Sequence, residues 1–240
     1  MPRFPITPGQ IKNEIATITG PDYRHIVNVL RLRPGSSLTL FGQDGIEYLG
    51  EITEINRREV KVLIKGSGRP ETESRLNIIL LQGIPKGDKM DWIVEKSTEL
   101  GVTTIIPVIT ERSQVKESRK IQRWQRIADE SIKQCGRVKA PNILKPLTFN
   151  GAIKLCNNSS LKLIFYEKSK NNLRQEFKDI TQPINNIRLL IGPEGGFSEA
   201  EVELARGEKF IPVGLGPRIL RTETASIVAL SILQFLFGDI

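Results

Sequence analysis

The chain has 240 residues, a formal net charge of +8, 39% hydrophobic residues and two cysteines. That length fits one large domain or two modest ones, the apolar content excludes wholesale disorder, and the charge makes nucleic acid or another polyanion a candidate partner, with a generic basic protein as the plain alternative. Cys135 and Cys156 lack metal-ligand spacing and read as thiols in a reducing compartment; "MPRFPITPGQ" carries no secretory pattern and no apolar run is long enough to span a bilayer, so a soluble, cytoplasmic protein without metal or membrane partner is expected.

Residues 1–70 read as a small β-barrel-like domain. Short β-rich runs, "EIATIT", "SSLTLF", "IEYLGEITEI" and "EVKVLIK", are broken by "GQDG", a hairpin signal. One helical stretch, "PDYRHIVNVLRL", spaces Tyr23, Ile26, Val27 and Leu30 along one face and is stopped by "RPG" at 33–35. The polar, glycine- and proline-bearing "GSGRPETES" (66–74) reads as a linker.

From residue 75 the rhythm changes. The apolar strands "LNIILLQ", "TTIIPVI", "LKLIFY", "IRLLIG" and "FIPVG" alternate with helical patterns: "DKMDWIVEKSTELG", "KIQRWQRIADESIKQCG", "SEAEVELARG" with a capping box at Ser198 and Glu201, and the almost uniformly apolar "ASIVALSILQFLF". Continuous apolar strands alternating with helices predict an α/β domain over 75–240, a mostly parallel sheet covered on both faces. A last helix apolar on every side must be buried, against a second subunit or in a deep core. Charge concentrates in 111–145, which has 10 Lys and Arg against 4 Asp and Glu; this is either a solvated helix face or a phosphate-facing surface.

Two glycine-built loops follow two of the strands, "GPEGGF" (192–197) and "GLGPRILRTETA" (214–225). The second opens like a dinucleotide fingerprint, but Ile219 stands at the third glycine position, Pro217 lies inside it, and no acid follows on a second strand, so that reading fails. "GIPKGDKM" (83–90) lacks P-loop spacing and a hydroxyl after its lysine. What remains is glycine at two strand ends, where ligands of open α/β sheets bind. Gly192, Gly195, Gly196, Gly214 and Gly216 either make turns and helix caps or bring bare main chain onto a flat heterocycle such as a nucleobase.

With "LLQGIPKGDKMDWIVEKSTELGVTTIIPVITERS", "LLIGPEGGFSEAE" and "LGPRILRTETA" in order, and "HIVNVLRLRPG" in front, the chain resembles the SPOUT-class RNA methyltransferases essentially end to end, and within them the 16S ribosomal RNA uridine-N3 (small-subunit methyltransferase E) family. The resemblance implies a PUA-like RNA-binding barrel in front (1–70), a trefoil-knotted α/β-knot domain behind (75–240), a homodimer, small-subunit 16S RNA as partner and S-adenosylmethionine as cofactor. It places the cofactor among Leu190, Gly192, Pro193, Glu194, Gly195, Gly196, Leu215, Gly216, Leu220, Thr222, Thr224 and Ala225. Uridine N3 is protonated at neutral pH, so the site must remove a proton or stabilise an anion. Arg221 and Glu223, crowded in "RILRTETA", are the candidates, although Arg221 could instead pair with Glu194 or Glu223 and Thr222 could cap the final helix. RNA contacts are expected from Arg24, Arg31, Arg33, Lys86, Lys89, Arg112, Arg123, Arg126 and Arg137, with Lys133 beside them; His25 reads equally as a packed helix residue. A non-catalytic assembly factor and a 2′-hydroxyl methyltransferase are the alternatives.

Overall fold

The computed structural model describes residues 1–42, 44–113, 120–155, 161–171, 173–178 and 183–240; Cys156 and the centre of the basic stretch, 114–119, lie outside the described residues. Met1–Glu73 together with Ile132–Lys139 form one compact unit, and Ser74–Ser131 with Ala140–Ile240 form a second.

The first unit contains strands β1 (Arg3–Pro5), β2 (Ile11–Lys12), β3 (Ile15–Thr19), β4 (Ser37–Phe41), β5 (Glu47–Ile55) and β6 (Glu59–Gly68), with helix α1 (Gly20–Arg24) between β3 and β4. They form one sheet in the order β1-β4-β5-β6-β3-β2, antiparallel except for the β1–β4 pair. Register breaks in β5 at Leu49/Gly50 and Ile52/Glu54 bend the sheet into a half-barrel whose edges, β1 and β2, stay open. Phe4, Ile18, Leu38, Leu40, Ile52 and Val62 fill it, with Ile26 as the helical plug. Between β4 and β5, Gly42 N–H donates to the Ile46 carbonyl at 2.9 Å.

The predicted twelve-residue helix is shorter than its periodicity suggests. After α1 the chain makes a π-helical turn over His25–Val29, in which Leu30 N–H reaches back to the His25 carbonyl at 2.9 Å, and Arg31 ends it at φ 52°. The extra residue in that turn carries Leu30 out to 38% exposure, and Leu32 takes its place against the core. His25 packs edge-on against Phe4 with ring centres 5.8 Å apart.

Part of the charge in this unit is paired inside it. The 66–74 stretch is no free tether: Gly66–Gly68 close β6, and Glu73 accepts from Arg137 Nη2 at 2.9 Å, Arg137 Nε at 3.2 Å, and the N–H groups of Val138 and Lys139. Arg137 is 4% exposed, which corrects its assignment as an RNA contact: a buried guanidinium bound to a carboxylate cannot also face a phosphate. Lys133 Nζ is likewise taken by Asp22 at 3.2 Å.

The second unit contains β7 (Asn77–Gly83), α2 (Lys89–Glu99), β8 (Thr104–Ile109), α3 (Ile121–Cys135, its end counted with the first unit), β9 (Asn142–Ile143), β10 (Leu147–Thr148), α4 (Phe149–Lys154), β11 (Leu161–Phe165), α5 (Leu173–Glu176), β12 (Asn186–Ile191), α6 (Glu199–Gly207), β13 (Ile211–Val213) and α7 (Thr222–Phe237). The sheet is wholly parallel, ordered β10-β8-β7-β12-β11-β13 with β9 beside β8. Strand alternation sorts its side chains into two cores. Ile78, Leu80, Leu163, Leu189 and Ile191 meet α2, α3 and α7 on one face; Leu81, Ile106, Ile164 and Leu190 meet α4 and α6 on the other. Helix α7 buries Ser226, Ala229, Leu230, Leu233 and Gln234, so it is not enclosed all round: Phe235 and Leu236 remain 71% and 43% exposed. No helix among the described residues is long and apolar enough to cross a membrane.

Replacing Arg137 with alanine leaves Glu73 with fewer donors and opens space around it, and should cost about 1–3 kcal/mol in urea unfolding. An unchanged unfolding midpoint would return Arg137 to the solvent-facing charges.

Candidate active site

The sheet order sets the tips of β12, β11 and β13 side by side, and there a cleft of about 700 Å³ opens. Its walls are the end of β11 (Phe165, Tyr166, Glu167), the loop after β12 (Ile191–Gly196), the loop after β13 (Leu215–Thr222, with Ala225 on α7) and Lys89. Ten of the twelve residues expected around the cofactor meet there: Gly192, Pro193, Glu194, Gly195, Gly196, Leu215, Gly216, Leu220, Thr222 and Ala225. Leu190 and Thr224 do not. Leu190 points to the opposite face, among Ile164 and Phe197, because strand residues alternate, and Ile191 takes the cleft side. Thr224 lies exposed on α7, and Ala225 faces the cleft. The β11 tip carries little signal in the sequence because "FYE" has no glycine; its one signal is its place at the end of an apolar strand.

The loops are held by close approach and by a buried polar network. A Cβ on Gly83, the last residue of β7, would lie 2.5 Å from Pro193 Cδ and 2.6 Å from Pro193 N, so only glycine lets the strand end pass beneath the loop. Thr222 Oγ1 donates to the Gly192 carbonyl at 2.6 Å and accepts from Gln82 Nε2 at 3.0 Å; Ser226 Oγ donates to Gln82 Oε1 at 2.6 Å. The Thr222 hydroxyl is therefore committed to the protein, and Arg221, not Thr222, occupies the position capping α7. The capping box at Ser198 and Glu201 forms as the sequence indicates, and Glu201 also accepts from Glu111 N–H at 2.8 Å.

In the second loop Gly216 has φ 101°. Among the described residues, the peptide N–H groups of Gly216, Arg218, Ile219, Leu220 and Arg221 donate to no protein acceptor. A strip of free main-chain donors thus runs beside the apolar Ile191, Leu215 and Leu220.

The charged groups divide into engaged and free. Glu194 is desolvated, which alone would raise its pKa, but Lys89 Nζ at 2.7 Å and the Lys86 N–H at 3.1 Å overcome that and hold it below the usual carboxylate value. The same Lys89 ammonium stands 3.9 Å from Glu223 Oε2, an oxygen that is buried and accepts no hydrogen bond. Lys89, expected on RNA, is thus bracketed by Glu194 of the cleft wall and by Glu223, which does not itself line the cleft although its neighbours Arg221, Thr222 and Ala225 do. Arg112 Nη1 is tied to the Gly195 carbonyl at 2.9 Å. The Arg221 guanidinium lies on the cleft wall, exposed, and among the described residues pairs with neither Glu194 nor Glu223 nor any other side chain.

Of the other expected RNA contacts, Arg123 pairs with Asp91 and lies 3.9 Å from Asp88. The side chains of Arg24, Arg31, Arg33, Lys86 and Arg126 are exposed and unpaired among the described residues.

Two measurements test this architecture. Gly83→Ala drives a methyl into Pro193 and should lower unfolding stability by about 1–3 kcal/mol in urea; a neutral effect would mean the loop is not held against β7. Because the folded-state pKa of Glu194 is depressed, its contribution is present above the ordinary carboxylate pKa and is lost as pH falls through the lower folded value. Thermal melts should show wild type more stable than Glu194→Gln at neutral pH, the gap closing in acid; a pH-independent gap would contradict this.

Residues 72–234 match the model of the RNA methyltransferase domain family, and residues 18–65 that of the RNA methyltransferase PUA domain. Ribosomal RNA small subunit methyltransferase E of Bacillus subtilis is 34% identical, the alignment covering 91% of this chain and 89% of the relative. The protein of that name from Buchnera aphidicola (Acyrthosiphon pisum) is also 34% identical, over 100% of this chain and 95% of the relative. Among solved structures, the Neisseria gonorrhoeae ribosomal RNA small subunit methyltransferase E bound to S-adenosyl methionine is 37% identical, covers 100% of this chain and 99% of that one, and superposes with a TM-score of 0.88. A Legionella pneumophila methyltransferase in complex with the same cofactor is 37% identical over 99% of this chain and 98% of that one, again with a TM-score of 0.88. The cleft therefore sits in a chain that belongs to the ribosomal RNA small subunit methyltransferase E family of RNA methyltransferases.

Proposed function

We propose that this chain is an S-adenosylmethionine-dependent methyltransferase that methylates N3 of a uridine in the 16S RNA of the small ribosomal subunit. The observation that carries the reading is the cleft at three parallel strand tips, with unengaged main-chain donors on one wall and the unpaired Arg221 guanidinium on the same loop. The residues present fit the cofactor. A volume of about 700 Å³ lies in the usual range for ligand sites, Ile191, Leu215 and Leu220 offer apolar contact to a purine, and the free N–H groups of 216–221 offer donors to its ring nitrogens. When bound, S-adenosylmethionine supplies a methyl group as an electrophile on a sulfonium sulfur.

The chain's own task is to prepare the acceptor. Uracil N3 must lose its proton as it forms a bond to carbon, and the negative charge that develops spreads onto the flanking carbonyl oxygens. Arg221, a cation without a protein partner, is placed to balance that charge. Glu223, next to the cleft wall and with Oε2 a buried acceptor without a hydrogen-bond donor, assists proton removal through a water. Lys89, between Glu194 and Glu223, links the cofactor loop to that acid.

In this reading residues 1–70 are the RNA-binding PUA-like domain and 75–240 the methyltransferase domain, threaded as a trefoil knot. Arg24, Arg31, Arg33, Lys86 and Arg126, exposed and unpaired, supply phosphate contacts. The exposed Phe235 and Leu236 on α7 are the seam of a homodimer, and the enzyme works in the cytoplasm.

Single-turnover methylation of small-subunit RNA, read by mass spectrometry, tests the chemistry. Arg221→Ala and Glu223→Gln should each slow the step by about 100-fold or more while cofactor affinity stays within about threefold. Wild-type rates in both variants would end these assignments.

A further inference from the structure

Between the two glycine loops stands the tip of β11, and its acid has no partner. Glu167 lines the cleft, and among the described residues its carboxylate makes neither an ion pair nor a hydrogen bond. Its neighbour Lys168 gives its ammonium to Glu199 instead, at 3.0 Å. The two Glu167 oxygens lie close over Gly196: a Cβ built there would sit 3.1 Å from one and 3.2 Å from the other. Gly196, at φ 65°, thus provides both the turn and the gap that admits the carboxylate. An ionised carboxylate has acceptor sites only, so this one is complete only when a ligand brings donors.

We propose that Glu167 is the ribose clamp of the site, its two carboxylate oxygens accepting hydrogen bonds from the vicinal 2′- and 3′-hydroxyls of the adenosyl group. The assignment rests on the cofactor reading above. Two acceptors side by side match two adjacent hydroxyls. The ring nitrogens of the adenine need donors, which the 216–221 peptides offer and a carboxylate does not. An acid near the carboxyl end of a strand serves the ribose in dinucleotide-binding sheets of unrelated topology, for the same chemical reason. Tyr166 and Glu167 follow β11 directly, and β11 is flanked on either side by the strands that carry the two glycine loops, so the acid stands where both loops converge.

Titration calorimetry on the full chain, with S-adenosylhomocysteine and its 2′-deoxyribose analogue as probes, decides the matter. Wild type should bind the deoxy analogue about tenfold or more weakly, and Glu167→Ala should bind both probes within about twofold of each other. Glu167 is exposed, so the variant should fold; a ligand-free melt checks this. Equal affinity of wild type for both probes, or full discrimination kept by Glu167→Ala, overturns the clamp. So does a variant that instead stops discriminating against the desamino analogue, which would assign the carboxylate to the amino-acid end. A wild-type chain that binds neither S-adenosylmethionine nor S-adenosylhomocysteine sinks the cofactor reading itself, an outcome distinct from the others.

Discussion

The Thr222 hydroxyl fixes the cleft. It ties α7 to the loop after β12, donating to the Gly192 carbonyl from the first residue of the helix. Gln82 beneath it spends both amide hydrogens, on Thr222 Oγ1 and the Gly83 carbonyl, and its oxygen accepts from Ser226. Gln82 and Ser226 are fully buried, where an unmet polar group is costly, so the network holds as a unit or fails as one. Arg221 and Glu223 flank Thr222 in sequence and inherit its placement. The loop geometry and the direction of the reactive side chains are therefore consequences of one buried chain of hydrogen bonds.

That constraint also sorts the charges. A net +8 suggests a broadly basic surface, but much of the positive charge is engaged locally. Arg137 and Lys133 are paired within the first unit, Lys120 and Arg123 pair with Asp88 and Asp91, Arg112 bonds the Gly195 carbonyl, and Lys89 sits between two carboxylates. Among the cations left for a polyanion are the exposed Arg24, Arg31, Arg33, Lys86 and Arg126, together with Arg218 and Arg221 at the cleft. Isolated exposed pairs contribute little stability. Their consequence here is spatial: they decide which guanidinium groups remain free to meet RNA.

The sequence made the parallel sheet legible because each buried strand is a continuous apolar run, and "LNIILLQ", "TTIIPVI", "LKLIFY", "IRLLIG" and "FIPVG" all became strands. The capping box before α6 was legible because its chemistry is local, four residues end to end. The two glycine loops were legible as sites, but their neighbour at the β11 tip was not, since Phe165, Tyr166 and Glu167 carry no turn chemistry and become a wall only through strand order. Locally Gly83 offers only a failed P-loop spacing, yet what requires glycine there is Pro193, 110 positions away, which no local pattern reports. The π-helical turn after α1 defeated the helical period for the same reason in miniature: one extra residue moved Leu30 off the apolar face and Leu32 onto it. Charge pairing was invisible throughout, because Arg137 and Glu73 look like any two surface residues until the chain folds them together.

The order of the sheet adds a final constraint on how such a site is made. Strand β12 lies between β7 and β11, so a late segment must slot between two earlier ones, at the register that pairs Asn186 with Asn77 and Ile187 with Leu161. Contacts so distant in sequence close slowly, and no cleft exists before they do. Helix α7 then fastens the arrangement at both ends. Thr222 binds the β12 loop, and near the far end Gln234 donates to the Leu100 carbonyl at 2.8 Å and accepts from Ser74 Oγ at 2.9 Å. Gly101 sits so close to that amide that a Cβ there would come within 2.4 Å of Gln234 Nε2. A helix pinned at its first and last turns by buried side-chain amides cannot slide along the sheet. That immobility lets Arg221 stay free of protein partners and still be held in one place, as a charge waiting for a ligand must be.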